Sequence, residues 1–444
     1  MFEKEFEEIK SIAKKHNISH YDAYLSTSHS LSIRIFHGDI DSFNYSDALG
    51  LGLRIIIGER TGYAYTEKLD RESLEATLCN ARDNARIVDY KEEVKLGNYP
   101  PITKKLDIYS EALSKISVED KIKKAKEIEK ASYGFDKRIV NVPQSIIGNN
   151  ESYVKIANSC GMTKEYITNA CYGLSFCLAK KDDETKSGYF EHLSRNFNDI
   201  NAVEISSRAA KKAIELLGAR EISSGNYPVL FNNEMAATLL STFWGIFSAK
   251  AVHEGQSLLK GQLHKEIASP HLTIIDDALL DGGYNTRPLD DEGYPSQTTE
   301  LITAGTLNTY LHNSITALKD GIPSTGNASR SYKTTIGISP SNLYIKPGIS
   351  TKKEISSSVK NYIEIVQLAG MHSGCNTISG DFSMSAQGFY CENSERKYPI
   401  HNFTVSGNFF NLMKQIIGIA EDLSFKLSAI GAPSILVDEL SISG

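Results

Sequence analysis

Alternating hydrophobic and polar positions run along much of this chain, separated by a few amphipathic helical stretches. Residues 1–16 form the first such stretch, because Phe2, Phe6, Ile9 and Ile12 fall on one side of a helix. Period-two alternation and short turns then predict an antiparallel meander over residues 21–66. A helix is expected to follow, with Asp70 as its N-cap. The pattern predicts an α+β unit over residues 1–90.

The pattern of residues 91–222 predicts a second α+β unit. It begins with a polar connection containing Pro100-Pro101, which favours extended backbone. A charged helix over 118–136, several short strands and an amphipathic helix over 201–219 are expected after it.

Residues 223–444 are rich in β-forming residues and turns, so a β-rich C-terminal domain is expected there. Within it, an apolar stretch predicts one long helix over 234–252, and a second helix is expected over 407–423. The fold class is therefore α+β, with an N-terminal region of antiparallel sheet and helices followed by the β-rich domain.

Charge and composition narrow the functional classes. The 444 residues carry a formal charge of −6 with both signs interspersed, which argues against direct nucleic-acid binding. The chain lacks an uncharged apolar run long enough to span a bilayer, and its first residues do not resemble a signal peptide. The six cysteines form no CxxC pair, so reduced thiols and a cytoplasmic location are expected.

The pair His253-Glu254 resembles the start of a zinc-protease motif. In HExxH the two histidines lie four residues apart on one helix face, so both reach one metal while the glutamate polarises the bound water. Here Ser257 stands at the four-residue position and Leu258 at the next. A metal site is therefore left with His253, Glu254 and a distant group such as His264 or His372. The alternative interpretation is a polar pair at a helix end that faces a groove or a partner.

Residues 371–408 form the other concentration of chemically versatile side chains. His372, Cys375, Asp381 and Cys391 are potential zinc ligands, but their spacings match no standard structural site. Ser383 has no GxSxG context, so a serine nucleophile is not expected. Glycines punctuate this segment, as in a loop that approaches a ligand or another chain. The groove candidates for a peptide or a partner are His253, Glu254, His372, Asp381, Ser383 and Asn393.

Three stretches together resemble the TldD/TldE (PmbA) family, and the resemblance extends over nearly the whole chain. They are 30-SLSIRIFHGDIDSFNYSDALGLGLRIIIGERTGYAYT-66, 272-LTIIDDALLDGGYNTRPLDDEG-293 and 379-SGDFSMSAQGFYCENSERKYPIHNFTVSGN-408. The third stretch is typical of the TldE (PmbA) branch, although Ser394 stands where the family usually has glycine.

In that family, a TldD subunit with HExxxH and a cysteine ligand pairs with a TldE subunit to process unfolded or modified peptides. Here Ser257 and Leu258 remove the second histidine, and no cysteine stands in 380-GDFSMSAQG-388. The resemblance therefore implies a TldE-type subunit that is inactive alone, binds no metal itself and relies on a zinc-carrying TldD-type partner. A homodimer is possible for the isolated chain.

Two alternatives remain open at this point. One is a self-sufficient metallopeptidase homodimer that uses His253 and Glu254, with His264 or His372 completing the metal site. The other is a regulatory binding protein without a peptidase role, in keeping with the family label "modulator of DNA gyrase".

Overall fold

The computed structural model describes residues 1–101 and 104–444 and has the expected α+β architecture. None of the helices in this described part is long and apolar enough to cross a membrane.

A six-stranded antiparallel sheet organises the N-terminal half, in the order β3-β2-β1-β4-β5-β6. Its strands are β1 (Tyr21–Phe36), β2 (Asp39–Ile57), β3 (Arg60–Thr66), β4 (Ile139–Asn158), β5 (Thr163–Lys181) and β6 (Glu184–Ser194). The meander predicted over residues 21–66 is thereby confirmed. The pairing of β1 with β4 joins the predicted units 1–90 and 91–222 in one continuous sheet.

The N-terminal helices are α1 (Glu3–Lys15), α2 (Arg71–Ile87), α3 (Glu111–Ser114), α4 (Val118–Phe135) and α5 (Ala202–Glu215). Two apolar clusters hold them to the sheet: α1 and α2 pack on β1 and β2, and α4 and α5 pack on β1, β4 and β5. Asp70 caps α2 as predicted, since its carboxylate accepts from the Ser73 N–H at 2.9 Å.

The C-terminal half is built on two further sheets. The first has the order β16-β15-β14-β7-β20-β17 and curls back on itself, because β16 also pairs with β20. Its strands are β7 (Gly225–Phe231), β14 (Asn361–Ala369), β15 (Asp381–Glu392), β16 (Glu395–Asn408), β17 (Ile416–Ile419) and β20 (Ile435–Ser443).

The second sheet has the order β10-β9-β8-β13-β19-β18. Its strands are β8 (Ile274–Asp277), β9 (Thr298–Thr303), β10 (Thr306–Leu307), β13 (Leu343–Ile345), β18 (Ser424–Phe425) and β19 (Ile430–Ala432), while β11 (Ala328–Ser329) and β12 (Gly337–Ile338) form a separate pair. The C-terminal helices are α6 (Asn233–Phe243), α7 (Ala249–His253), α8 (Ser314–Asp320), α9 (Lys352–Ser356), α10 (Met371–Gly374) and α11 (Phe409–Lys414). The largest apolar cluster of the chain lies between these elements.

The helix predicted over 407–423 is wrong beyond Lys414. After α11 the chain forms β17, whose residues pair with β20. An apolar run of this kind fits a helix and a buried strand equally well, and tertiary pairing decides between them.

Buried charges join the two halves of the molecule. The Arg54 guanidinium on β2 donates to Asp22 at 2.5 Å and to Glu292 at 3.2 Å, and Arg330 donates to the other oxygen of Asp22 at 2.7 Å. These four side chains are at most 4% exposed. Asp22 and Arg54 belong to the N-terminal sheet, whereas Glu292 and Arg330 belong to C-terminal loops, so this ion network fixes one half on the other.

Gly50 and Gly52 also lie where the two halves of the molecule meet, against Tyr332 of a C-terminal loop. A Cβ at Gly50 would lie 2.2 Å from the Tyr332 ring, and one at Gly52 would lie 2.6 Å from the Tyr332 carbonyl oxygen. The absence of side chains at these positions on β2 lets the loop around Tyr332 lie flat on the strand.

Candidate functional site

The single helix predicted over 234–252 is wrong, because the segment is divided into α6, a 3-10 turn at Trp244–Phe247, and the short α7. Between the last two, Ser248 is extended and forms a β-bridge with Leu311. The Leu311 N–H donates to the Phe247 carbonyl at 2.8 Å, and the Ala249 N–H donates to the Leu311 carbonyl at 3.0 Å. Backbone pairing with a distant segment therefore overrides the apolar helical pattern.

Helix α7 ends immediately after His253. Gly255 has a positive φ of 73°, its N–H donates to Val252, and the Gln256 N–H donates to Ala251 at 2.8 Å. These bonds form a left-handed helix stop of the Schellman type. The positions that would carry a second zinc-binding histidine consequently lie outside the helix.

Ser257 and Leu258, which occupy those positions, have different surroundings. The Ser257 hydroxyl is buried and donates to the Ile246 carbonyl at 2.7 Å, which holds the chain after α7 against the 3-10 turn. Leu258 is 58% exposed.

His253 is bound to an aspartate that the sequence alone did not suggest. Its Nε2 lies 2.8 Å from Oδ1 of Asp320, the last residue of α8. An acidic residue at a helix C-terminus opposes the helix dipole, so it calls for a cationic or hydrogen-bonding partner. That sequence signal could have drawn attention to Asp320, although it could not have identified His253 as the partner.

A second histidine faces the same carboxylate from the interior. His312 Nε2 lies 4.0 Å from Asp320 Oδ2, the ring is 1% exposed, and its Nδ1 has no hydrogen-bond partner among the described residues. Burial lowers the pKa of His312 to about 4, although Asp320 acts in the opposite direction. His312 is therefore neutral near pH 7. We name His253, Asp320 and His312 the α7–α8 cluster.

The other predicted metal ligands are placed elsewhere. His264 has a positive φ of 65° and its N–H donates to Leu307 at 2.7 Å, while His372 is exposed on α10. Neither is an ionic or hydrogen-bonding partner of His253 in the part of the chain that the structure describes. Within residues 1–101 and 104–444, no group of three or more His, Cys, Asp or Glu side chains is arranged to hold a metal. Glu254 is exposed, with its carboxylate 4.0 Å from Lys250.

The signature segment at 379–408 forms an exposed polar face on β15 and β16. Asp381 accepts hydrogen bonds from Asn408 Nδ2 and Ser379 Oγ, both at 2.8 Å, and Ser406 donates to Ser383 Oγ at 3.1 Å. The bonds from Asn408 and Ser379 hold the pKa of the Asp381 carboxyl below its usual value. We call these five side chains the β15–β16 polar face.

Helix α10 packs against the same end of β15. A Cβ at Gly374 would lie 2.1 Å from the Ser383 carbonyl, so α10, with His372, approaches the strand closely. Asn393 instead lies at the far end of β15, in the turn to β16, and its N–H donates to Lys360. The structure thus brings His372, Asp381 and Ser383 to one end of the strand and leaves Asn393 at the other.

The same turn explains why the family usually has glycine at the position of Ser394. Asn393 and Ser394 have φ values of 53° and 62°, a backbone region in which glycine is favoured.

Comparison with known proteins identifies the family to which the chain belongs. Three family models match the chain: PmbA/TldA metallopeptidase domain 1 over residues 21–85, the central domain over 111–217, and the C-terminal domain over 224–444. The chain belongs to the TldD/TldE (PmbA) metallopeptidase family.

Curated relatives include the metalloprotease PmbA of Escherichia coli, which is 26% identical over 93% of this chain and 90% of the relative. A TldD homologue from Buchnera aphidicola is 24% identical over 97% of this chain and 93% of the relative.

Among solved structures, a Thermotoga maritima protein described as a modulator of a DNA gyrase has a TM-score of 0.92 and 29% identity, with both chains fully covered. TldE from Thermococcus kodakarensis has a TM-score of 0.90 at 20% identity, covers 99% of this chain and is itself fully covered, and therefore shows the fold.

Proposed function

We propose that this chain is a TldE-type subunit, which pairs with a zinc-carrying TldD-type subunit in a peptidase acting on unfolded or modified peptides. The observation that carries the proposal is the end of α7 at Gly255. A second histidine at position 257 or 258 would not share a helix face with His253. Two histidines of this segment therefore could not coordinate one zinc ion from the same helix, as they do in HExxH and HExxxH sites.

The contacts of the two candidate metal residues support the same role. The ring of His253 is held by Asp320 at 2.8 Å, and metal binding through that nitrogen would require this bond to break. Glu254 lies at the C-cap of α7, where it is exposed. Water activation is accordingly assigned to the partner subunit, and zinc is expected there.

The β15–β16 polar face is the proposed contribution of this chain to peptide or partner contact. Along the first half of β15, exposed Asp381, Ser383 and Ser385 alternate with buried Phe382 and Met384. Such a face offers carboxylate and hydroxyl groups on a rigid strand without exposing the core. His372 on α10 adds an imidazole at the same end.

The test measures zinc content and peptide hydrolysis together. The purified chain is assayed alone and after mixing with a TldD-type subunit that carries HExxxH, by elemental analysis and with an unfolded casein-type substrate. We expect no stoichiometric zinc and no hydrolysis for the isolated chain, and both properties in the mixture.

Glu254→Gln in this chain and the equivalent glutamate-to-glutamine change in the partner form the matched pair of variants. The change in the partner should abolish cleavage, whereas Glu254→Gln should not. Zinc near one per isolated chain, with cleavage lost in Glu254→Gln, would instead establish a self-sufficient metallopeptidase. A complex with gyrase that forms without any peptidase subunit would favour the regulatory alternative.

A further inference from the structure

A cysteine, a histidine and a glutamate meet where the end of α1 contacts α2, in the N-terminal half and away from α7. Cys79 Sγ lies 3.8 Å from Nδ1 and 3.9 Å from Nε2 of His16. The Nε2 of the same ring lies 2.6 Å from Glu75 Oε1. A nucleophile beside a base that is itself oriented by a carboxylate is the general arrangement of an activated thiol.

Local sequence explains why the three groups converge. Glu75 and Cys79 are four residues apart on α2, so their side chains share one face of the helix. His16 is the C-cap of α1, and its N–H donates to the Ile12 carbonyl at 3.0 Å. The end of α1 thereby places the imidazole beside the face of α2 that carries Glu75 and Cys79.

Charged side chains also lie around this site. Lys15 donates to Glu75 at 2.6 Å, and hydrogen bonds from Lys15 and His16 lower the pKa of Glu75 to about 2, so this carboxylate is charged at neutral pH. Arg82 lies one turn beyond Cys79 on α2, with its guanidinium bonded to Asp83 at 2.9 Å. Hydrogen bonding to Asp83 raises the pKa of Arg82, so this neighbour of Cys79 along α2 carries a positive charge.

The remaining five cysteines have different surroundings. Burial raises the pKa of Cys171 and of Cys391 to about 12, and it also raises the pKa of Cys177 and of the half-buried Cys375. Exposed Cys160 donates from its sulfur to the Leu96 carbonyl at 3.7 Å. Of the cysteines described, Cys79 alone has a side-chain imidazole as a hydrogen-bonding partner.

We propose that Cys79 is a reactive thiol, activated by His16 and Glu75, that is oxidised by small hydroperoxides. His16 takes the thiol proton through Nδ1 while Nε2–H donates to Glu75. The sulfur then attacks the terminal peroxide oxygen, an S–O bond forms and the O–O bond breaks. The leaving oxygen takes the proton from His16, so Cys79 becomes a sulfenic acid and hydrogen peroxide is reduced to water.

The experiment compares Cys79 with Cys160 inside the same intact chain. Labelling by iodoacetamide is followed residue by residue by mass spectrometry of peptides between pH 6 and 9. We expect Cys79 to react about threefold faster than Cys160, or more, at pH 7, because the neighbouring His16 imidazole can take the thiol proton. Treatment with hydrogen peroxide should place a dimedone-trapped sulfenic acid on Cys79 before Cys160.

Two variants test the role assigned to His16. In His16→Gln the rate of Cys79 at pH 7 should fall to that of Cys160. His20→Gln is the matched control, because His20 is exposed and contacts Ser19 instead of a cysteine. Glu75→Gln provides a second, smaller perturbation of the same ring if His16→Gln disturbs folding, and should slow Cys79 as well.

Equal rates and pH profiles for Cys79 and Cys160 in the unaltered chain would overturn the proposal. So would a Cys79 rate that is unchanged in both His16→Gln and Glu75→Gln.

Discussion

At the scale of single residues, the α7–α8 cluster combines a buried neutral imidazole with a shared carboxylate. His312 has a pKa of about 4 in the folded chain, whereas an unperturbed histidine has a pKa of about 6.5. The unfolded chain therefore takes up this proton first as the pH falls. The contribution of His312 to stability is fully present above pH 6.5 and is lost progressively towards about pH 4.

We predict that His312→Gln flattens this part of the pH dependence. Because one pKa unit corresponds to about 1.4 kcal/mol, the stability difference between the unaltered chain and the variant should change by about 3 kcal/mol between pH 7 and 4. Urea denaturation at several pH values measures it.

The quantity to compare is the difference in unfolding free energy between the unaltered chain and His312→Gln. The pH dependence of either protein alone also contains the titration of Asp290, which acts between about pH 4 and 7 with the opposite sign. Burial and Glu292 raise the pKa of Asp290 to about 7, so its contribution is lost as the pH rises. That effect is common to both proteins. His271→Gln, at an exposed position, is the control, and a pH-independent gap for His312→Gln would contradict the assignment.

Sequence reasoning at this scale succeeded where the cause is local. The Asp70 cap depends on residues three apart, and the loss of the second histidine is visible in Ser257 itself. Asp320 and His312 were missed, because their relation to His253 arises from packing between segments distant in the chain. Asp381 and Asn393 were both candidates for one groove, yet they lie at opposite ends of the twelve-residue strand β15.

At the scale of elements, the early end of α7 is the decisive feature. Introducing the missing second histidine of the motif should not by itself create a metal site. The glycine stop directs the chain away from the helix axis before position 258 is reached.

We predict that Leu258→His binds no stoichiometric zinc in the isolated chain. The position is exposed, so the variant should fold normally, and elemental analysis with circular dichroism checks both statements. Leu263→His, at another partly exposed leucine outside the helix, is the matched control for non-specific binding. Zinc near one per chain in Leu258→His but not in Leu263→His would show that α7 can extend through Gly255.

Elements with polar caps and a clear period were predicted from sequence, as α2, α4 and the strands of residues 21–66 show. The two errors, at 234–252 and 407–423, both fall in apolar stretches. In these stretches the hydrophobic pattern does not distinguish a helix from a strand, and pairing with the partner segments Leu311 and β20 decides the backbone conformation.

At the scale of the whole molecule, the two halves are held by the Arg54 ion network and by Tyr332 on β2. Gly50 and Gly52 lie within residues 21–66, which are predicted as strands, but the strand pattern gives no reason for glycine at these positions. Their function depends on a loop nearly three hundred residues later in the chain.

We predict different outcomes for two otherwise similar substitutions. Gly50→Ala should lower stability by about 1–3 kcal/mol through overpacking against the Tyr332 ring, and Tyr332→Ala should relieve most of that additional cost. Gly52→Ala meets backbone instead, so Tyr332→Ala should give little relief. Thermal denaturation of the two double-mutant cycles tests this, and equal coupling in both would refute the proposed packing.

The central position of β1 has a consequence for how the chain reaches this structure. Residues 21–66 can pair locally, but the backbone groups on the second edge of β1 pair with β4. The pairing of Asp22 with Asn158, for example, forms only when β4 reaches β1. Closing so long a loop is slow, and an open strand edge is meanwhile a template for other chains. Refolding of this protein should therefore be limited by the arrival of residues 139–158, and dilute conditions or chaperones that shield the β1 edge should raise its yield.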